Sequence, residues 1–201
     1  MKLQKKTWGL LIAAVFLCTT VYIYEVKFQQ HQLQIRSNNN KIFNFTEEDI
    51  KNISVKTKQH TLQFQQTEDG KKEWKMIHPK QATANDATIS FLTNLLVTGE
   101  SDRRFTISTS QQKDYGLNKP LATIKVILND GSKHQIILGN SDFNDSFLYA
   151  KVDSNNQDAA EINISLVSKN YRYAIDREID EWLKIDESLK NFKKTEVEQE
   201  K

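Results

Sequence analysis

The sequence predicts an α+β protein: antiparallel β-meanders each covered by a helix, arranged as two related β-rich units, behind one N-terminal transmembrane helix. Three observations carry this expectation. Residues 8–24, WGLLIAAVFLCTTVYIY, run for 17 positions without a charge. Beyond residue 50, apolar and polar residues alternate with the period of two that marks half-buried strands. Twice the alternation gives way to helical spacing, near residues 83–97 and again near 168–175.

As a helix, residues 8–24 would be about 26 Å long, close to the thickness of a bilayer's hydrocarbon core. Trp8 opens the segment and Tyr22 and Tyr24 close it, where amphipathic rings favour the headgroup layer. A cleaved secretory signal also begins with lysines and an apolar run. Against it, no small-x-small site follows the core, and aromatic residues come at once after Cys18-Thr19-Thr20. Lys2, Lys5 and Lys6 crowd one side, whereas Lys27, Arg36 and Lys41 are spread thinly on the other. The positive-inside bias therefore expects a cytoplasmic N-terminus and an extracytoplasmic C-terminal domain. Cys18 is the only cysteine, so no intramolecular disulfide or cysteine-based zinc cluster can form. Large Phe16 and Leu17 before it disfavour a lipidation site.

The expected division is a basic cytoplasmic leader (1–7), a transmembrane anchor (8–26), a stalk (27–41), a first sheet–helix unit (42–107), a second one (108–183) and a charged disordered tail (184–201). The stalk is rich in Gln and Asn. The first unit opens with Ile42, Phe43 and Phe45, then a capped turn at Thr46-Glu47-Glu48-Asp49. Ile53 and Val55, then Leu62 and Phe64, then Trp74 and Met76 place one apolar face on each of three strands. Asp69 and Gly70 supply the turn before the third. Thr83 or Asn85 can cap a helix reaching Val97, with Ile89, Phe91, Leu92, Leu95 and Leu96 inward. Asp86, Ser90 and Asn94 face water, and Gly99 fits the stop.

In the second unit, residues 103–107 read as a short linking strand. Ala122, Ile124, Val126 and Leu128 alternate, Asn129-Asp130-Gly131 turns, and Ile136 and Leu138 return opposite them. Residues 147–152 and 162–167 give two more strands around a polar loop. Ser168 can cap a short helix through Ile175, and Ile179, Trp182 and Leu183 pack back.

Charge excludes some functions. The formal net charge is +2, and acids and bases are interspersed along the chain. With no basic stripe in the sequence, nucleic acid is not an expected partner. The expected contacts are membrane lipid, through residues 8–24, and a membrane or envelope protein.

The search for chemistry returns scaffold readings. His31, His60, His78 and His134 have no helical spacing with a carboxylate and read as solvated. Asp142-Phe143-Asn144-Asp145-Ser146 resembles the start of a calcium loop, but Phe147 occupies the glycine position and Asp153 replaces the bidentate Glu. It reads as a turn. No Gly-x-Ser-x-Gly elbow or phosphate-binding Gly-rich loop occurs. Asp176, Glu178, Asp180 and Glu181 read as a solvated face, and Asp102-Arg103-Arg104 as a surface patch. Sequons at Asn44, Asn52, Asn144 and Asn163 are what chance allows in so Asn-rich a chain. No catalytic residue, metal ligand or cofactor site is expected.

Tyr115-Gly116-Leu117 with Pro120, then Ala122-Thr123-Ile124-x-Val126, Asp130-Gly131, Leu138-Gly139, Tyr149-Ala150-Lys151-Val152 and Leu166-Val167-Ser168 together resemble the family catalogued as domain of unknown function 4340. The likeness reaches upstream through Trp74, Pro79, Ala84 and the Leu-rich helix, and covers roughly residues 42–183. It implies a membrane-anchored bacterial protein, in some members an accessory of an ABC-type transport system, and brings no catalytic residue. For the motif residues Tyr115, Gly116, Leu117, Pro120, Asp130, Gly131 and Gly139 a structural role is expected. Gly116 needs positive φ, Pro120 fixes the approach to the strand, Gly131 permits the turn, Gly139 lets the strand leave the sheet, and Tyr115 packs over the hairpin.

The function expected is a non-enzymatic, membrane-anchored extracytoplasmic interaction module, an accessory to an envelope or ABC-type transport complex. The alternative is a domain binding a small apolar or glycan ligand in a cleft between the two units, lined by Trp74, Phe91, Tyr115, Phe147 and Tyr149.

Overall fold

The structure, a computed structural model, describes Leu17, residues 20–22, 40–67, 73–153 and 160–184. Its strands are β1 (Ile50–Thr57), β2 (Thr61–Gln66), β3 (Trp74–His78), β4 (Ala82–Thr83), β5 (Ser101–Ser108), β6 (Ala122–Leu128), β7 (Lys133–Ser141), β8 (Phe147–Val152) and β9 (Glu161–Ser168). Within residues 41–184, α1 (Asp86–Thr98) and α2 (Asn170–Ile175) accompany them. Three 3-10 turns join, at Glu47–Asp49, Thr109–Lys113 and Ile179–Trp182.

These nine strands form one sheet in the order β4-β3-β2-β1-β6-β7-β8-β9-β5, each antiparallel to its neighbours. Both expected meanders are present, but they do not close separate sheets. β1 pairs with β6 over Ile53↔Val126 and Val55↔Ile124, carrying one apolar face across residues 107 and 108. β5, expected as a short link, is eight residues long and pairs with β9 at the far edge. Alternation shows that a strand exists; its partner, some 57 residues on at Thr106↔Asn163, leaves no local trace.

The main core lies on one face of the sheet. Ile53, Phe64, Met76, Ile124, Ile136, Leu138 and Leu148 meet Ile89, Leu92 and Leu96 of α1, Tyr171 and Ala174 of α2, and Trp182. Trp182 is fully buried and tilts against Phe64 at 5.2 Å between ring centroids. Ile42, Phe43 and Phe45 belong to this core.

α1 starts where the sequence places it. Asn85 accepts a hydrogen bond from the Ala87 backbone N–H at 3.1 Å, satisfying one of the orphan donors of the first turn. The buried stripe is turned from the expected one: Thr88 and Thr93 are buried with Ile89, Leu92 and Leu96, while Phe91 and Leu95 are only partly so. The threonines tolerate burial because both hydroxyls donate, Thr88 to the Glu181 carbonyl at 2.9 Å and Thr93 to the Glu47 carboxylate at 2.8 Å. Gly99 does end the helix, but at φ −60°, without the left-handed cap. A Cβ there would strike the Leu95 carbonyl and the Tyr171 hydroxyl, so close packing rather than backbone freedom demands glycine.

β9 runs on through Ser168, so α2 begins at Asn170, later than expected; Ser168 Oγ still accepts from the Asn170 N–H at 3.2 Å. Tyr171 joins α2 to α1 by donating to the Leu95 carbonyl at 2.6 Å.

Residues 41–201 cluster as one compact unit and residues 1–40 as another. Leu17 and residues 20–22 of the apolar segment are helical and exposed. The remainder of the expected anchor, Cys18, most of the stalk, His31, the Asp69-Gly70 turn and residues 185–201 of the tail lie outside the described residues. Among the described residues no helix is long and apolar enough to cross a membrane.

Candidate functional site

Of the family-like motif residues, Tyr115, Leu117 and Tyr149 lie on the opposite face of the sheet, at its β7–β8–β9–β5 end. There Ile107, Leu117, Ile162 and Ile164 form a second, smaller core with Phe105, Tyr115, Ile137 and Tyr149. The 3-10 turn Thr109–Lys113 and the residues after it lie across the strands as a lid. Tyr115 meets Tyr149 edge to face at 4.8 Å and Phe105 at 5.9 Å. Tyr115 therefore packs beside β8 and β5 as well as over the hairpin.

Backbone bonds lock this lid. The Asn140 N–H donates to the Tyr115 carbonyl at 2.9 Å, and the Leu121 N–H to the Leu138 carbonyl at 2.8 Å. Gly116 adopts φ +73°, as expected, and a Cβ there would also collide with Asn140. Gly139 corrects the expected reason for its glycine. β7 continues past it to Ser141, and a Cβ would run into the Tyr115 carbonyl. Tyr115-Gly116-Leu117 and Leu138-Gly139 are thus the two halves of one contact. Pro120 precedes β6, where no ladder donor is lost.

Asp130 and Gly131 serve the β6–β7 turn. Gly131 has φ +85° in open space. One Asp130 carboxylate oxygen accepts from the Ser132 N–H at 2.8 Å and from its hydroxyl at 2.5 Å. These two bonds hold the Asp130 carboxyl below the usual carboxylate range. The turn is moored to the Glu47–Asp49 turn, since Asn129 donates to the carbonyls of Asp49 at 2.8 Å and Glu48 at 2.9 Å.

The calcium-like stretch is a turn. Asp142 accepts from the N–H groups of Ser146 at 2.8 Å and Phe147 at 2.9 Å. Asp145, at φ +52°, takes the Ser141 hydroxyl and the Lys169 ammonium. Lys169 first, and Ser141 with it, hold the Asp145 carboxyl low, and the same pairing raises Lys169. The strongest neighbour of the Asp145 carboxylate is already a cation, and Asp142 is taken up by backbone donors. Among the described residues no group of three His, Cys, Asp or Glu could hold a metal.

His134 departs from the solvated reading. Its Nδ1 lies 2.7 Å from an Asp153 carboxylate oxygen, and its ring packs against Phe43 and Phe45 at 5.6 and 5.2 Å. Alternation in β7 placed His134 on a face, but nothing local pointed to Asp153 across the sheet. The aromatic residues expected to line one cleft are divided. Trp74 lies in the main core, and Tyr115 and Tyr149 on the other face. A cleft of about 260 Å³ opens elsewhere, between the β1–β2 turn and α2, lined by Thr57, Lys58, Gln59, Leu121, Arg172, Ile175 and Asp176.

Fold and motif together define a single-sheet α+β domain whose motif residues hold the backbone. The chain belongs to the family described as Domain of unknown function (DUF4340), whose family model matches residues 74–201. No curated protein and no solved structure matches the chain.

Proposed function

We propose that the protein is a non-enzymatic, membrane-anchored extracytoplasmic interaction module, an accessory to an envelope or ABC-type transport complex. The observation that supports it most is the use of the family-like residues. Tyr115, Gly116, Leu117 and Gly139 are spent on seating a lid, and Asp130 and Gly131 on a turn, with no reactive group among them aimed into a cleft. The uncharged run of residues 8–24 supports the membrane placement. β5, an eight-residue strand at the sheet's edge, offers a row of backbone groups to which a partner's extended segment can add.

Photo-crosslinking in native membranes tests this reading. With a photoreactive residue in place of Asp102 or Ser108, both exposed on β5, an adduct to one membrane protein is the expected result. Recovery of the chain alone from both positions would remove the proposal.

A further inference from the structure

We propose that the uncovered part of the sheet, on the face away from α1 and α2, is a docking surface for an anionic lipid bilayer. This rests on the anchored reading above and adds which side of the domain meets the membrane. The residues that define the surface are Lys56 of β1, Lys75 of β3, Lys125 of β6, Lys133 of β7 and Lys151 of β8. Cross-strand register puts them on one face. Lys56 pairs with Thr123, Thr123 with Ile137, and Ile137 with Lys151. One step along, Ser54 pairs with Lys125 and Lys125 with Gln135; the next row holds Asn52, Ile127 and Lys133. Lys75 joins this last row through Gln65.

Lysines on an open sheet are commonly set opposite acids, because cross-strand pairs of opposite charge are stabilising and like charges repel. Here each lysine faces Thr, Ser, Gln or Ile across the strands. Among the described residues none of the five makes an ion pair, whereas Lys80, Lys169, Arg177 and His134 elsewhere each find a carboxylate. The described acids nearest in sequence to these lysines are Glu73, two residues before Lys75, and Asp153, two residues after Lys151; each lies just outside its strand, and Asp153 is engaged by His134. In a chain with 28 basic and 26 acidic residues, the fold has segregated the charges.

The surface also says what kind of partner suits it. Between the lysines lie Asn52, Ser54, Thr61, Gln63, Gln65, Thr123 and Gln135, with Ile127 and Ile137 among them, a mainly polar surface without aromatic anchors. Protein hot spots and single-stranded nucleic acids both draw on aromatic residues, so a broad, flat, negatively charged surface fits better. A bilayer bearing anionic headgroups has that shape and charge, and basic residues near it gain energy within a Debye length. Ile77, 39% exposed at the β3 rim of the same face, is placed to enter the interfacial layer. The 16 residues from 25 to 40 span at most about 55 Å when extended, reach enough for the face to settle on the bilayer that holds residues 8–24.

The test is lysine acetylation of the full chain reconstituted into vesicles, read residue by residue by mass spectrometry. Vesicles of phosphatidylcholine alone are compared with equimolar phosphatidylcholine and phosphatidylglycerol. We expect labelling of the five lysines to slow about fivefold in the anionic vesicles, and the protection to vanish in high salt, as screened surface electrostatics requires. Lys80 and Lys184, on the helical side, should not change. In the variant carrying Lys56→Gln, Lys125→Gln and Lys133→Gln, protection of Lys75 and Lys151 should be lost while the chain stays in the vesicles. Equal labelling in both vesicle types overturns the proposal. So does stronger protection by an added oligonucleotide in neutral vesicles than by the anionic lipid. A chain that washes off both vesicle types in carbonate removes the anchor reading instead, and the labelling contrast, measured before the wash, still decides the lysine face.

Discussion

At the scale of residues, three glycines in one motif set are needed for different reasons, and single substitutions separate them. Gly131 needs only its positive φ, since nothing lies within 4 Å of the missing Cβ. Gly131→Ala should therefore cost about 1 kcal/mol, the penalty for a left-handed L-residue. Gly116→Ala adds a collision with Asn140 to the same strain, and about 2 kcal/mol or more is expected. Gly139→Ala forces the Tyr115 carbonyl away and with it the Asn140 bond, for about 2–4 kcal/mol. Urea denaturation of the three variants should give the order Gly131 < Gly116 ≤ Gly139. A Gly139→Ala protein as stable as the wild type would show that the lid is not seated as described.

Titration belongs to this scale too. Asp145 has a folded pKa below its ordinary 3.8, so its contribution is present above that value and is lost as pH falls through the folded pKa. Lys169 is raised above its ordinary 10.5; its contribution is complete below 10.5 and is lost as pH rises through the folded pKa. The Asp142–Ser146 turn should accordingly exchange its amides faster at both extremes, below about pH 4 and above about pH 10.5. In Lys169→Met the acid-side change should move up toward the ordinary carboxylate range, which NMR titration of the Asp145 carboxyl would read directly.

At the scale of elements, α1 is held by its cap and by bonds that reach other elements. Asn85→Ala removes the acceptor for Ala87 N–H and should cost about 1 kcal/mol. Tyr171→Phe leaves the Leu95 carbonyl without its partner in a buried setting and should cost about 1–3 kcal/mol. Burial pushes the Tyr171 hydroxyl far up, so it remains the donor throughout the accessible pH range. A Tyr171→Phe protein that unfolds at the wild-type urea concentration would show that this bond does not couple the two helices.

At the scale of the whole molecule, the β1–β6 pairing and the return of β5 to β9 make residues 41–184 one cooperative body. Urea unfolding followed by far-UV circular dichroism and by tryptophan fluorescence, in a Trp8→Phe background, should give coincident transitions. Trp74 and Trp182 both report from the main core. Separated transitions would restore the picture of two independent units. Sequence alone made several parts legible because their causes are local: the β6–β7 hairpin from its alternation and Asn129-Asp130-Gly131, the start of α1 from Asn85, and the positive φ of Gly116. It also carried enough ordered short motifs to point to the family.

Other features are set by residues far apart in the chain, and only the tertiary structure decided them. That Gly139 is shaped by Tyr115, that His134 finds Asp153, and that β5 crosses to the far edge are all long-range pairings. The same holds for charge. Along the chain the lysines alternate harmlessly with acids, so no basic stripe shows. Strand geometry sends every second side chain to one face, and register then stacks those faces from five strands together. Period and turn chemistry are written in neighbouring residues, whereas which faces meet, and which charges gather, depends on how the strands are ordered in space.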